Sequence, residues 1–145
     1  MKLDRRRRVA GAALLVISAA AAILASSRAR SEDAKPQISY TAAQADHGAE
    51  VYSEKCAQCH GANLNDGQFA PALSGGHFKT DFGGKTAGDL YAYISANMPP
   101  GQGGELRPED YADIEAFVLR ANGAAPGPAA ITPDPKTLGG TIPGS

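Results

Sequence analysis

The stretch Cys56-Ala57-Gln58-Cys59-His60 contains both cysteines of this 145-residue chain, three positions apart, with a histidine directly behind the second. On a helical turn, residues at positions i, i+3 and i+4 lie on one face. Two thiols on that face can form thioethers with the vinyl groups of a haem, and the imidazole can reach the iron. The spacing therefore predicts one covalent haem c, attached at Cys56 and Cys59, with His60 as an axial iron ligand.

Three other uses of this pentapeptide fit the sequence less well. A thioredoxin-like Cys-x-x-Cys motif requires a βαβ setting, whereas the flanking sequence has a helical pattern. A zinc ion requires four ligands, and adjacent Cys59 and His60 are poorly placed to share one ion, with only His47 and His77 as further histidines. A disulfide from Cys56 to Cys59 would close a loop too short to stabilise the fold much.

The N-terminal residues predict export from the cytoplasm. Lys2 and the run Arg5–Arg8 precede an apolar stretch, residues 9–25, and small residues follow it. This order is typical of a secretory signal peptide, here residues 1–29. The apolar stretch is also at the lower limit for a transmembrane span, so an uncleaved anchor in the inner membrane, with weak membrane association, is the alternative. Either interpretation predicts a periplasmic location, where haem attachment to reduced cysteines is expected.

The charge of the chain changes when the leader is excluded. The whole chain has a formal net charge of −1, but residues 30–145 contain 8 Lys and Arg against 14 Asp and Glu, a net charge of −6. This sign argues against a nucleic-acid partner. It also excludes a lysine-rich face for docking on acidic proteins.

The remaining sequence predicts one small all-α domain. Residues 30–40 are expected to form a flexible lead-in, and the folded domain is expected to span residues 41–123, with three main helices. The first helix starts at Ala42, with a capping box formed by Thr41 and Gln44. The second starts after Thr86 and the third at Pro108.

Two segments have the composition of loops or tails. Residues 61–85 are rich in Gly, Asn and Asp, and we expect them to wrap around the haem face. Residues 124–145 contain five prolines and four glycines and little apolar content. We therefore expect them to form a disordered tail.

The iron needs a second axial ligand, and Met98 is the strongest candidate. It is the only methionine after the leader, it follows a helix, and Pro99 and Pro100 restrict the backbone behind it. Three alternatives stay open at this point: a methionine that only fills the core, His77 as the ligand, or an open iron position.

Together these residues resemble the class I, monohaem cytochromes c. The match rests on Cys56, Cys59 and His60 at the attachment motif, Met98 at the distal position, and the segment Ala70-Pro71-Ala72-Leu73. The resemblance implies a small cytochrome c fold with helices and loops wrapped around one covalent haem. It also implies that the carbonyl of Pro71 accepts a hydrogen bond from His60 and so orients its ring.

The resemblance extends to the packing of the terminal helices and to a subgroup of the family. Gly48 and Tyr52, with Ile114 and Phe117, match the family's close helix crossing. The segments Met98-Pro-Pro-Gly and Leu106-Arg-Pro-Glu-Asp-Tyr are similar to haem domains associated with quinoprotein alcohol dehydrogenases. Arg107 departs from that pattern, because a Ser or Thr helix cap is usual there.

The sequence thus predicts a periplasmic electron carrier that is not itself an enzyme. Its expected partners are redox proteins, with a dehydrogenase as electron donor and an oxidase or another cytochrome as acceptor. The alternative is an electron-transfer subunit of a quinoprotein-type dehydrogenase complex. A haem enzyme or gas sensor is less favoured, because Met98 would fill the open iron position that either would need.

Overall fold

Helices account for the regular structure of the part of the chain that the computed structural model describes, residues 37–144. They are α1 (Ala42–Lys55), α2 (Ala57–His60), α3 (Gly75–Phe82), α4 (Ala87–Asn97) and α5 (Pro108–Ala121). Within residues 37–144 there is no strand, only one isolated antiparallel bridge between Thr86 and Thr141. The predicted all-α fold class is confirmed. The predicted signal peptide and most of the lead-in lie outside the described residues.

None of these five helices is long and apolar enough to cross a membrane. The three predicted helices are present as α1, α4 and α5, starting at or next to the predicted residues. At the start of α4, Thr86 and Asp89 form a complete capping box, which satisfies backbone N–H groups that the helix itself leaves without partners.

Only one of the two hydrogen bonds of the predicted capping box is present at the start of α1. The Thr41 side chain accepts a hydrogen bond from the backbone N–H of Gln44, at 3.1 Å. The Gln44 side chain does not return to the cap. It donates to the carbonyl of Ile131 at 2.9 Å and accepts from the N–H of Ile131 at 2.8 Å. The predicted capping box is therefore only half formed, and Gln44 joins α1 to the C-terminal segment instead.

The most extensive helix packing among the described residues is between α1 and α5. Gly48 lies at the crossing, where an added Cβ would be 1.8 Å from the carbonyl oxygen of Asp113. Tyr52, one turn further along α1, packs against Phe117 with the ring centroids 5.2 Å apart. A side chain larger than hydrogen at position 48 would separate the two helices, because the atom that it meets belongs to the backbone.

Helix α3 lies within the segment that was predicted to be a loop. Its first residues are Gly75 and Gly76, which have low helix propensity. Burial of Phe78 against Phe82, with ring centroids 5.3 Å apart, stabilises the helix from the side. Asn122 adds a bond to its start, because its side-chain oxygen accepts from the N–H of Gly75 at 3.1 Å. The Phe78–Phe82 contact lies within α3 itself, whereas the bond from Asn122 comes from outside the local sequence.

The prediction of a disordered tail does not hold for residues 124–144. Ile131 and Ile142 are buried, and Ile142 is only 1% exposed. The backbone of Ile142 pairs with the chain before α4, donating to the carbonyl of Lys85 at 2.8 Å and accepting from the N–H of Gly84 at 3.0 Å. The tail is low in apolar residues, but long-range hydrogen bonds and two buried isoleucines fix its path.

Residues 37–40 are the last residues of the predicted flexible lead-in, and in the structure they are held in place. Tyr40 is fully buried, and its hydroxyl donates to the carbonyl of Ala124. The carbonyl of Tyr40 accepts from the N–H of Gly127 at 2.8 Å. The segment before α1 and the segment after α5 therefore bind each other.

Replacing Ile142 by Ala tests whether the C-terminal segment contributes to stability. Removing a fully buried isoleucine side chain typically lowers the free energy of unfolding by about 2–5 kcal/mol. The matched control is Pro143→Ala, because Pro143 is exposed and its replacement should change the free energy of unfolding by less than about 0.5 kcal/mol. Urea denaturation of the haem-containing protein measures both. Equal stability of the two variants would show that the tail does not pack as described.

Candidate haem site

The attachment segment is held by the end of α1. Cys56 leaves the helical conformation, with φ of −123° and ψ of −34°, and α2 then makes one turn from Ala57 to His60. The N–H of His60 donates to the carbonyl of Cys56 at 3.0 Å. This turn places Cys56, Cys59 and His60 in the wall of one cavity.

The state of the thiols distinguishes between two uses of the Cys-x-x-Cys motif. Both cysteines are free and partly buried. Burial, and secondly the proximity of Cys59, raises the pKa of the Cys56 thiol to about 11. A redox-active Cys-x-x-Cys motif depends on a lowered cysteine pKa and an accessible thiolate, and Cys56 has the opposite environment.

The cavity has a volume of about 550 Å³, within the range of about 300–1,000 Å³ that is usual for cofactor sites. Its walls come from α1 to α5 and from the loops around Pro71 and Met98. The wall is predominantly apolar. Its larger apolar side chains are Leu73, Phe78, Phe82, Leu90, Ile94, Leu106, Ile114 and Val118.

The His60 ring is fixed by a backbone carbonyl. His60 is 8% exposed, and its Nδ1 lies 2.8 Å from the carbonyl oxygen of Pro71. A carbonyl oxygen only accepts, so Nδ1 carries the proton and donates it. Nε2 is then the unprotonated nitrogen, which is the form in which imidazole binds a metal.

Met98 lies directly after α4 in the same cavity wall. Its N–H donates to the carbonyl of Ile94 at 2.9 Å. Its own carbonyl accepts from the hydroxyl of Tyr111 at 2.8 Å, and that hydroxyl accepts from the N–H of Gly104 at 3.0 Å. Tyr111 therefore fixes both ends of the loop that carries Met98.

The two other histidines lie elsewhere. His77 is on α3 with a side chain 58% exposed, its Nδ1 is 3.2 Å from a carboxylate oxygen of Asp81, and it is not part of the cavity wall. His47 pairs with Asp113 at 2.6 Å on an exposed part of α1. Within residues 37–144 the one cluster with metal-type donors is His47, Asp110 and Asp113, which contains no cysteine.

Glu115 is a residue of the cavity wall that the sequence analysis did not identify. Its side chain is fully buried, and neither carboxyl oxygen has a hydrogen-bond partner among residues 37–144. Burial raises its pKa well above the ordinary value of 4.5. A signal was present in the sequence, because Glu115 is four residues from Tyr111 and Leu119 on the buried stripe of α5.

The helical fold and this cavity define a c-type cytochrome domain. Residues 43–118, just over half of the chain, match the family described as cytochrome c oxidase, cbb3-type, subunit III. The chain belongs to this family of cytochromes c, whose members bind c-type haem covalently and take part in electron transport.

A thiosulfate dehydrogenase of Psychrobacter arcticus is similar to part of this chain. The two are 34% identical over 79 residues, which is 50% of this chain and 24% of the relative. The chain thus spans about a quarter of that relative's length.

The residues of the cavity fit a covalent haem. Two free thiols lie beside an imidazole whose Nδ1 is already bonded, so Nε2 is available to a metal. A thioether sulfur, that of Met98, also belongs to the wall, and the remaining surface is mainly apolar. Thiols, an imidazole and an apolar surface are what a covalently attached haem c requires, and a thioether is one of the groups that can serve as its second iron ligand.

Glu115 predicts an unusual dependence of stability on pH. The pKa of Glu115 is higher in the folded protein than in the unfolded chain. Its favourable contribution to the free energy of unfolding is therefore fully present below its ordinary pKa of 4.5. This contribution is lost as the pH rises through the pKa of the folded state. Glu115→Leu should therefore raise the free energy of unfolding at pH 7 by about 1–3 kcal/mol. The gain should become smaller toward acid pH. Urea denaturation of the holo-protein over a pH series measures this.

The control is Glu109→Leu, which removes an exposed carboxylate from the same helix. It should not reproduce the stabilisation at pH 7. A loss of stability in Glu115→Leu that is independent of pH would show that the carboxyl has a partner or is hydrated.

Proposed function

We propose that this chain carries a single haem c on Cys56 and Cys59, with His60 and Met98 as axial iron ligands, and transfers single electrons between redox proteins in the periplasm. The observation that carries the proposal is the presence of these four side chains in the wall of one cavity. Membership of a cytochrome c family provides the second line of support.

The proposed role of His60 follows from its hydrogen bond to Pro71. A proton held on Nδ1 leaves Nε2 free for iron, and the 2.8 Å bond limits rotation of the ring. Donation to a carbonyl also makes the imidazole a better electron donor to a metal. Pro71 acts through His60 and is a positioning residue.

The proposed role of Met98 requires a fixed loop, because a thioether binds iron weakly. Tyr111 supplies this restraint through its hydroxyl, which bonds the Met98 carbonyl and the Gly104 N–H. When bound with histidine and methionine, haem supplies a one-electron couple with a potential above that of the bis-histidine form.

Partners are expected to approach the cavity opening. Phe69 lines the cavity, yet 81% of its surface is exposed, and Tyr93 is 47% exposed. Such aromatic side chains are frequent anchors in protein interfaces. Electron-transfer encounters bury little surface and are transient, so a few such contacts are sufficient.

The same domain could act within a dehydrogenase complex and not as a free carrier. The relative in Psychrobacter arcticus is named as an enzyme, and this chain covers only about a quarter of it. The segments that begin at Met98 and at Leu106 resemble haem domains associated with quinoprotein alcohol dehydrogenases. In this second proposal, a dehydrogenase partner oxidises the substrate and this chain accepts its electrons, one at a time.

Export is also a proposal. Residues 1–29 have the pattern of a signal peptide, or of an uncleaved inner-membrane anchor, and they lie outside the described residues. Covalent haem attachment needs reduced cysteines, and the unpaired Cys56 and Cys59 are compatible with that requirement.

Replacing Met98 tests the ligand proposal. Met98→Ala should remove the weak near-infrared absorption band of sulfur-ligated ferric haem, lower the reduction potential, and allow carbon monoxide to bind the ferrous protein. Met98→Leu keeps the apolar volume without the sulfur and should give the same spectral loss. Absorption spectra and carbon monoxide titration measure these changes.

The control is Ile94→Ala, which shortens another side chain of the same wall. It should keep the sulfur band and exclude carbon monoxide. Wild-type protein that already binds carbon monoxide at neutral pH would contradict axial ligation by Met98 and favour a haem enzyme or gas sensor.

Purification from the native source distinguishes a free carrier from a subunit. A free carrier should elute as a monomer and be reduced by several donors, whereas a subunit should co-purify with a quinoprotein or flavoprotein dehydrogenase. Size-exclusion chromatography with haem detection measures this. Co-elution with a dehydrogenase that reduces the haem on addition of its substrate would overturn the free-carrier proposal.

A further inference from the structure

Glu115 is the one buried ionisable side chain in the cavity wall whose polar atoms are without a hydrogen bond among residues 37–144. It is fully buried on α5, between residues that face the same cavity, Ile114 and Val118. A buried carboxyl without a partner is costly when charged. Its charge state is therefore sensitive to any other charge that changes nearby.

The ionisable groups that face α5 from other helices do not compensate this carboxyl. From α4, Tyr91 interacts with the charge of Glu115, and burial raises the pKa of Tyr91 above its ordinary value. From α1, Tyr52 has its pKa raised to about 12, chiefly by burial. Two exposed residues of α1 have partners on α5: Asp46 pairs with Arg120, and His47 pairs with Asp113. None of these groups places a cation against Glu115.

The remaining ionisable groups near the cavity also leave Glu115 without a counter-charge. On its own helix, the hydroxyl of Tyr111 donates to Met98. In the cavity wall, the free Cys56 thiol has a raised pKa and becomes an uncharged thioether once haem is attached, and His60 is bonded to Pro71. The charged side chains that line the cavity, Glu54, Lys55 and Asp81, belong to exposed residues.

Charge on a metal in this cavity acts on Glu115 through a weakly screening environment. Two charges interact several times more strongly in a buried, apolar setting than in water. Reduction of the iron removes one positive charge and favours a protonated carboxyl, whereas oxidation favours the carboxylate. Because the coupling is reciprocal, the proton on Glu115 must in turn favour the reduced iron.

We propose that Glu115 is a redox-linked proton site, which binds one proton when the haem is reduced and releases it when the haem is oxidised. The proposal rests on the haem occupying the cavity as proposed above, and it adds a proton to the electron that the protein carries. The Glu115 carboxylate would take one proton from solvent when a bound haem accepted one electron from a donor protein. Both leave on reoxidation, so the charge of the buried site changes little.

The test is the reduction potential of the holo-protein as a function of pH. Spectroelectrochemical titration from about pH 5 to about pH 9 covers the range in which buried carboxyls titrate. The wild-type potential should fall as pH rises between the two pKa values of Glu115, in the oxidised and reduced states. Because one proton is bound per electron, the equilibrium constant for reduction changes at most tenfold per pH unit.

Two variants remove the titrating group in different ways. Glu115→Gln keeps the shape of the side chain, and Glu115→Leu removes its polarity, so at least one is expected to fold with haem bound. Both should lose the part of the pH dependence that is specific to Glu115. Glu109→Gln removes one exposed negative charge from the same helix. This variant should keep the wild-type dependence of the reduction potential on pH.

Infrared difference spectra between the oxidised and reduced states supply a readout independent of the potential. The wild-type protein should gain a protonated-carboxyl C=O band on reduction at a pH within the window, and the band should be absent in Glu115→Gln. A pH dependence that is equal in wild type and Glu115→Leu, or a carboxyl band unchanged by redox state, would overturn the proposal.

These outcomes are separate from failure of the proposed ligand set. Absence of the sulfur band from the wild-type spectrum would refute Met98 as ligand. A reduction potential that depends on Glu115 could still be present in that case. Conversely, a normal sulfur band with a potential that does not depend on Glu115 would refute only the proton site.

Discussion

The close approach of α1 and α5 at Gly48 is the contact on which the cavity depends. The Gly48 backbone lies against the carbonyl of Asp113, with no room for a Cβ. Past this crossing, α1 leads directly into the attachment segment, Cys56 to His60, and α5 presents Tyr111 and the residues of the inner wall. A wider crossing would move the thiols away from the wall that holds the Met98 loop. Packing between the helices therefore determines the geometry of the site.

Local chemistry explains why much of the site could be predicted from sequence. Two cysteines and a histidine in five residues, and one methionine behind a helix, have few other uses. The helix starts at Thr86 and Pro108 are equally local, because caps and first-turn prolines act within one turn. The structure places Cys56, Cys59, His60, Pro71 and Met98 in one cavity, and their roles as attachment points and ligands remain proposals.

The elements that the sequence did not predict depend on partners far along the chain. Helix α3 starts with two glycines, and its bond from Asn122 spans 47 positions. The bond between Gln44 and Ile131 spans 87 positions, and it turns a residue that fits a local capping box into an anchor for the tail. No local pattern distinguishes a glycine-rich disordered segment from one that is held by such distant bonds.

The polar groups of the cavity wall differ in one respect that matters for electron transfer. The ring of His60 and the hydroxyl of Tyr111 are both bonded to backbone carbonyls, so their positions are set by the fold. Fixed polar groups reorganise little when the charge on a cofactor changes, which favours rapid transfer. The carboxyl of Glu115 has no such bond, and an unpaired acid in an apolar wall responds to a new charge by gaining or losing a proton. The same cavity thus combines hydrogen-bond donors in fixed positions with one carboxyl group that is free to titrate.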